Sequence, residues 1–441
     1  MRTDGRGPSI WDTFCRMPGR IRHGDTGDVA CDQYRRYEED VALMADLGVR
    51  AYRFSVAWPR IQPEGRGAPN RPGLDHYRRL VDALNTRGIT PLPTLYHWDL
   101  PQALEDDGGW GNRDTALRFA EYAAIVHRSL AGTVPSWITL NEPWVVAWLG
   151  YGTGIHAPGR TDDALALAAS HHQLLAHGLA RDAMGGDVGI ALNLQPARPA
   201  TEDPRDVQAA RLADLHMNRL YLDPLFGRGY PPQLVEHYRP VSDLRFVRDG
   251  DLEVIAAPLG FLGVNYYRRH TVTAEERFQP GGDELPGSLG AWSVLPAGVE
   301  VTAMRWPVEP QGLADLLIEL HRDYGPARMI VTENGAAFDD EPAPDGVVHD
   351  ARRIAFLRDH IAAARAALEA GVPLAGFLVW SLLDNFEWAE GYSKRFGLVH
   401  LDFGTQARTP KESAAWYAEV IRHRGLPAGF GLNGAGGFGQ E

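Results

Sequence analysis

The stretch Met329-Ile330-Val331-Thr332-Glu333-Asn334-Gly335 decides how this chain folds. Its apolar and β-branched residues demand a buried strand, and Asn-Gly turns the backbone away just after a carboxylate has been delivered at the strand's end. Taken alone, Glu333 reads more simply as a rim residue that caps the next helix or pairs with a cation, because carboxylates are seldom buried without partners. A second stretch repeats the design: Ser136-Trp137-Ile138-Thr139-Leu140-Asn141-Glu142-Pro143. Two strand-end glutamates, each beside an Asn, point to one shared pocket.

Outward from these strands, short apolar runs alternate with amphipathic segments. The spacing predicts helices at about 32–47, 74–87, 113–131, 164–183, 205–221, 312–324, 352–370 and 411–423. Asp32 is expected to cap the first of them and Gly48 to end it. Strands are expected at 49–58, 89–98, 188–195, 261–267 and 374–381, besides the two that carry the glutamates. Residues 271–303 have weak periodicity and many Gly and Pro, which predicts a long excursion or short hairpins. Such alternation means parallel strands joined by crossover helices. The expected fold is α/β, a single (β/α)8 TIM barrel over 1–424 followed by a Gly-rich tail at 425–441. An open doubly wound sheet would show a Gly-rich phosphate loop after its first strand, and none is present. The count is eight helices against seven strands, whereas a closed barrel of this kind takes eight. The chain begins in a loop ahead of a helix, so strand 1 is expected to be missing from it.

Hydrophobic residues make up 44% of the 441, enough for a large core. The net charge of -13 has no basic block to offset it, which argues against nucleic-acid and anionic-membrane partners. Two cysteines, Cys15 and Cys31, are too few for a disulfide framework and lack metal-ligand spacing. No apolar run approaches a membrane span, and Met1-Arg2-Thr3-Asp4-Gly5-Arg6 lacks the apolar core of a signal peptide. The expectation is a cytoplasmic protein with no cofactor, no metal and a small-molecule partner, free to form a homo-oligomer.

The strand ends form a set. Arg53 lies in Tyr52-Arg53-Phe54-Ser55, His97 and Trp98 in Tyr96-His97-Trp98-Asp99, Asn141 beside Glu142, Tyr267 after Asn265-Tyr266, and Trp380 before Ser381. Each alone is more often structural; together they make a polar pocket with an aromatic wall that suits sugar rings. Two carboxylates without a metal motif suggest glycosidic-bond hydrolysis. One must be protonated to donate to the leaving oxygen and the other ionised to attack, so their surroundings must push their pKa values apart. Arg53 near Glu333 would hold that carboxylate ionised, while Glu142, desolvated and near another negative charge, would keep its proton. Glu333 is thus the expected nucleophile and Glu142 the expected acid/base.

Those segments resemble glycoside hydrolase family 1, the retaining β-glucosidases, and its bacterial members most of all. The resemblance runs from Arg6-Gly7-Pro8-Ser9-Ile10-Trp11-Asp12-Thr13-Phe14 to the helix near Trp416 and includes Trp380-Ser381-Leu382-Leu383-Asp384-Asn385-Phe386-Glu387-Trp388. It implies Glu142 as acid/base and Glu333 as nucleophile, with their carboxyls about 5–5.5 Å apart. It further implies that His97, Asn141, Glu387 and Trp388 bind the sugar hydroxyls, that Trp380 is the stacking platform, and that Tyr267 and Arg53 set the nucleophile's charge; Trp98 joins the substrate-binding set. The implied activity is hydrolysis of terminal β-D-glucosyl residues from β-glucosides and short oligosaccharides, as in cellulose breakdown. Phe386-Glu387-Trp388-Ala389-Glu390 replaces the phosphate-binding residues of relatives that take phosphorylated sugars, and Glu142 excludes the thioglucosidase variant, which has Gln there.

The resemblance also supplies a departure. Family members begin with a strand ahead of the Gly7-Pro8-Ser9-Ile10-Trp11 segment, and that strand carries a Gln that binds the sugar. Met1 stands only a few residues before Arg6. Either Met1 is an internal methionine of a longer chain, the favoured reading, or the protein is a weakly active or inactive sugar-binding relative. Transglycosylation is the third alternative.

Overall fold

The structure is a computed structural model that describes residues 3–275 and 283–426. Seven strands form one sheet: β1 (Ala51–Ser55), β2 (Thr90–Tyr96), β3 (Trp137–Asn141), β4 (Val188–Asn193), β5 (Leu262–Asn265), β6 (Met329–Asn334) and β7 (Leu374–Val379). They lie side by side in chain order, and every pair is parallel. The principal helices between and around them are α1 (Gln33–Asp46), α2 (Arg71–Thr86), α3 (Asp114–Ser129), α4 (Asp163–Met184), α5 (Pro204–Asp214), α6 (Pro310–Tyr324), α7 (Ala351–Glu369) and α8 (Glu412–His423). The architecture is that of a single (β/α)8-type barrel whose parallel sheet is nearly closed. Among the described residues β1 and β7 are the sheet's two edges and do not pair with each other.

Local sequence explains the elements. In α2, Pro72 sits in the first turn, where a missing N–H costs nothing, and Leu74, Tyr77, Leu80, Val81 and Leu84 form a buried stripe at helical spacing. In α4 the Asp162 carboxylate accepts from the Leu165 amide, and Gly185 at φ 66° ends the helix. Inside the sheet, Leu92, Ile138, Ala191 and Phe261 are buried in one cluster with Ile330 and Leu378. These residues come from six neighbouring strands or their approaches and fill the barrel interior with apolar volume. Beyond that apolar cluster, Asn141, Glu142, Asn265 and Glu333 lie at the strands' carboxyl ends, where such barrels place their chemistry.

One expectation is revised, and another, the short hairpins of 271–303, takes definite form. Asp32 does precede α1, but it lies in the left-handed region at φ 47° and its side chain caps nothing. Residues 271–303 are partly ordered into sheet: His270–Thr273 pairs with Ala197–Pro199 and with Trp292–Val294, to which Asp283–Glu284 adds. Residues 276–282 of that excursion, and the part of the expected tail at 427–441, lie outside the described residues.

Candidate active site

The carboxyl ends of the strands bring every singled-out residue to one end of the barrel. Glu333, near the end of β6, is 3% exposed and takes two hydrogen bonds. Arg53 of β1 donates from Nη1 to Oε1, and the Tyr267 hydroxyl donates to Oε2 at 2.7 Å. Arg53 is itself fixed on three sides. Its Nε donates to Thr94 Oγ1 at 3.0 Å, its Nη2 to Asn141 Oδ1 at 2.6 Å, and Nη1 also reaches the Thr332 carbonyl. A buried guanidinium so bound is a fixed positive charge against one carboxylate.

Glu142 follows β3 directly and is 6% exposed. Its side-chain contact is with a neutral amide, Asn265 Nδ2, which donates to Oε1 at 2.8 Å. Burial raises the Glu142 pKa well above the usual carboxylate range, and the negative charge of Glu333 adds to the rise. The Asn265 hydrogen bond and the Arg53 charge oppose it and are outweighed. This direction favours the protonated form of Glu142, beside a carboxylate that is paired with Arg53.

The rest of the pocket is built on Asn141. Its Oδ1 accepts from Arg53 and, at 3.0 Å, from Asn265 Nδ2, which identifies the other amide atom as nitrogen. That Nδ2 donates to His97 Nε2 at 3.1 Å. Burial and the Arg53 charge push the His97 pKa well below its ordinary value, so the ring is neutral, accepts at Nε2 and keeps its proton on Nδ1. His97 stacks on Trp380 with ring centres 5.6 Å apart and on Trp388 at 5.7 Å. Trp388 also packs 4.6 Å from Trp98, whose indole donates to the Asn141 carbonyl at 3.0 Å.

Glu387 completes the set. Its pKa is pushed up to about 8, first by burial and then by Glu333, while a hydrogen bond from the Trp380 side chain pulls the other way. Among the described residues its Oε2 has no hydrogen-bond partner. A buried acceptor left open in a pocket is positioned for a ligand's hydroxyl.

Backbone geometry shows how tightly these groups are placed. Trp98, Glu142 and Trp388 have φ of 77°, 50° and 50°, a region that costs an L-residue about 1–3 kcal/mol and recurs at functional sites. Gly335 has to be glycine, because a Cβ there would lie 1.9 Å from the Trp380 carbonyl oxygen. The loop that carries Glu387 and Trp388 is anchored by buried Asp384. It accepts from the Gly397 amide at 2.9 Å, from Arg395 at 3.0 Å and from Lys411 Nζ at 3.0 Å. Glu390 is not free to act in the pocket, since it pairs with Arg22 at 2.9 Å. Asp384 and Glu390 are thus paired, while the Glu387 carboxyl has no ion-pair partner among the described residues.

Sequence reasoning singled out ten residues: Arg53, His97, Trp98, Asn141, Glu142, Tyr267, Glu333, Trp380, Glu387 and Trp388. All ten lie in this one constellation. It passed over Asn265, which bridges Asn141 and Glu142 and accepts from Thr332 Oγ1 at 2.6 Å. The two-residue period of a strand, which puts residue 265 on the face of residue 267, was the available signal. It also passed over Thr94 and Lys411, whose roles depend on contacts far away in the chain. Among the described residues no cluster of His, Cys, Asp and Glu could hold a metal ion.

A parallel barrel whose strand ends converge on two buried glutamates and a wall of tryptophans defines a glycoside-cleaving enzyme. The chain belongs to glycosyl hydrolase family 1, which matches residues 1–426. It is 46% identical over 429 residues to β-glucosidase A of Acetivibrio thermocellus, covering 96% of this chain and 94% of that one. It is 50% identical over 433 residues to thermostable β-glucosidase B of Thermobispora bispora, covering 97% and 88%. The family 1 β-glucosidase of Thermotoga maritima, solved in complex with isofagomine lactam, superposes with a TM-score of 0.90 at 45% identity, covering 96% and 94%. Matches that run over nearly the whole chain lend no support to the expectation that it lacks its first strand.

Proposed function

We propose that this protein is a retaining β-glucosidase that removes terminal β-D-glucosyl residues through a covalent glycosyl-enzyme intermediate. The observation that carries the reading is the unequal setting of the two buried glutamates: Glu333 is bound by Arg53 and Tyr267, Glu142 by a neutral amide alone. In the first step Glu333 attacks the anomeric carbon as Glu142 gives its proton to the glycosidic oxygen, and the C–O bond to the leaving group breaks. In the second, Glu142, now ionised, takes a proton from water, which displaces Glu333 and returns it to the carboxylate form. Trp380 and Trp388 offer faces to the sugar ring, while His97, Asn141 and Glu387 line the hydroxyl-binding side. The β-glucosidase names of the relatives support glucose as the sugar. Two free thiols, Cys15 and Cys31, support a reducing, cytoplasmic setting. Proton NMR of aryl β-glucoside hydrolysis tests the stereochemistry: β-glucose appears first if the reading holds, and α-glucose appearing first overturns it.

A further inference from the structure

After β6 and β7 the chain buries a second set of charges, separate in its hydrogen bonds from Glu142 and Glu333. Lys411, just ahead of α8, has no exposed side-chain surface, and its Nζ lies 2.8 Å from Asp340 Oδ2 and 3.0 Å from Asp384 Oδ1. The two aspartates come from different loops. Asp340 lies on the segment after β6, the strand that carries Glu333, and Asp384 on the outgoing limb of the loop after β7, which carries Glu387. Each aspartate has another cation besides: Arg353 of α7 pairs with Asp340, and Arg395 pairs with Asp384 at 3.0 Å. Among the described residues Lys411 is the only cation that pairs with both. Arg353 holds the returning limb of the loop, donating to the carbonyls of Arg395 at 3.0 Å and Phe396 at 3.4 Å. Lys411 is anchored in turn, since its own amide donates to the Leu398 carbonyl at 2.9 Å and the Ser413 amide donates to buried Asp350 at 2.8 Å.

Stability alone does not explain this arrangement. Taking an ammonium and two carboxylates out of water is costly, and apolar side chains of like volume often serve a fold as well or better. A lysine also gives up its rotamer freedom when it is fixed. What charged hydrogen bonds add is a defined register between the parts they join. We propose that Lys411 is a positioning residue for sugar binding: by joining the loops after β6 and β7 it fixes the Glu387 carboxyl relative to Glu333. The inference rests on the reading that Glu387 receives a sugar hydroxyl. Apart from the Trp380 hydrogen bond, the Glu387 carboxyl is placed by its own loop, within which the Glu387 amide donates to the Gly391 carbonyl at 2.7 Å. Slack at Asp384 therefore passes to Glu387. Glu333 is held independently by Arg53 and Tyr267, so the same slack leaves the nucleophile in place.

The test is a pair of double-mutant cycles on aryl β-glucoside hydrolysis by the full chain, read as kcat and KM. Lys411→Met keeps an unbranched stem without the charge, and it leaves Asp340 with Arg353 and Asp384 with Arg395. It is expected to lower kcat/KM by about tenfold, mainly through KM, because Glu333 keeps its partners. In a Glu387→Gln background the same change is expected to cost about twofold or less, since the group it positions is already impaired. In a Tyr267→Phe background the full loss of about tenfold is expected, since the two changes act on different carboxyls. A merely structural lysine would lower activity equally in both backgrounds. That result overturns the proposal, as does an unchanged kcat/KM in folded Lys411→Met. If Glu387→Gln alone leaves kcat/KM unchanged, the reading of Glu387 falls and the proposal with it. Where the single variant does not fold, Asp340→Asn/Lys411→Met goes through the same cycles: it removes one charge of each sign and leaves Arg353 with Asp350 at 3.0 Å and Asp384 with Arg395.

Discussion

The ends of β3 and β6 differ in one decisive respect. Both deliver a glutamate next to an asparagine into the same water-poor pocket, yet β6 delivers Glu333 to a guanidinium and a phenol, and β3 delivers Glu142 to an amide. Both carboxylates are buried, so the difference lies in the company each keeps. A buried carboxyl near a cation stays charged and can attack; one denied a cation and facing a neighbouring charge holds its proton and can give it away. Sequence similarity between the two stretches conceals this difference, because the distinguishing residues, Arg53, Tyr267 and Asn265, come from other strands.

The comparison can be broken by removing either partner or its support. Glu333→Gln should cost the most, on the order of 10⁴-fold or more in kcat for any β-glucoside, because the proposed covalent step would be lost. Glu142→Gln should divide substrates by leaving group. Cellobiose turnover should fall by roughly 10²–10⁴-fold, whereas formation of the intermediate from a dinitrophenyl glucoside, which needs no proton donor, should be nearly unchanged. An equal loss on both substrates would place Glu142 outside the acid role. Tyr267→Phe removes a hydrogen bond to a charged oxygen, which is worth about 1.5–3 kcal/mol, and should lower kcat by roughly 10- to 100-fold with little change in KM.

Proton linkage sharpens the contrast further. Since Glu142 titrates well above an ordinary carboxyl, kcat/KM should fall on the alkaline side as its proton leaves. That limb should disappear in Glu142→Gln when a substrate with an activated leaving group is used. Glu387 gives the smallest effect. Its folded pKa of about 8 lies above the ordinary 4.5, so between those pH values the native state holds a proton that the unfolded chain lacks. Its contribution to stability is complete below about pH 4.5 and is lost as pH rises through 8. Glu387→Gln should therefore raise Tm by a few degrees at pH 9 and by much less at pH 4, measured by calorimetry. A pH-independent difference would contradict the shift.

Most of this arrangement was legible in the chain because strand-end chemistry is written locally. An apolar run followed by Glu-Asn or Asn-Glu announces a buried strand and its pocket residue together, and helices such as α2 carry their buried stripe at regular spacing. Asp32 shows the limit of local reading. Its type suits a cap, but the left-handed turn around Ala30 and Asp32 points its side chain elsewhere. The small sheet built from Ala197–Pro199 and His270–Thr273 was hidden for another reason: its strands are three or four residues long and find their partners across the chain. Lys411 was invisible as a site component because a lysine is normally solvated, and only tertiary structure shows it buried between Asp340 and Asp384.

The division of labour between the two glutamates is tested most directly by trapping the intermediate. The wild-type chain would be incubated with a 2-deoxy-2-fluoro-β-glucoside bearing a good leaving group, digested, and mapped by mass spectrometry. The account predicts one fluoroglucosyl ester per chain, carried by Glu333 and formed as one equivalent of leaving group is released. An ester on Glu142, or stoichiometric release of the leaving group with no ester at all, would contradict it.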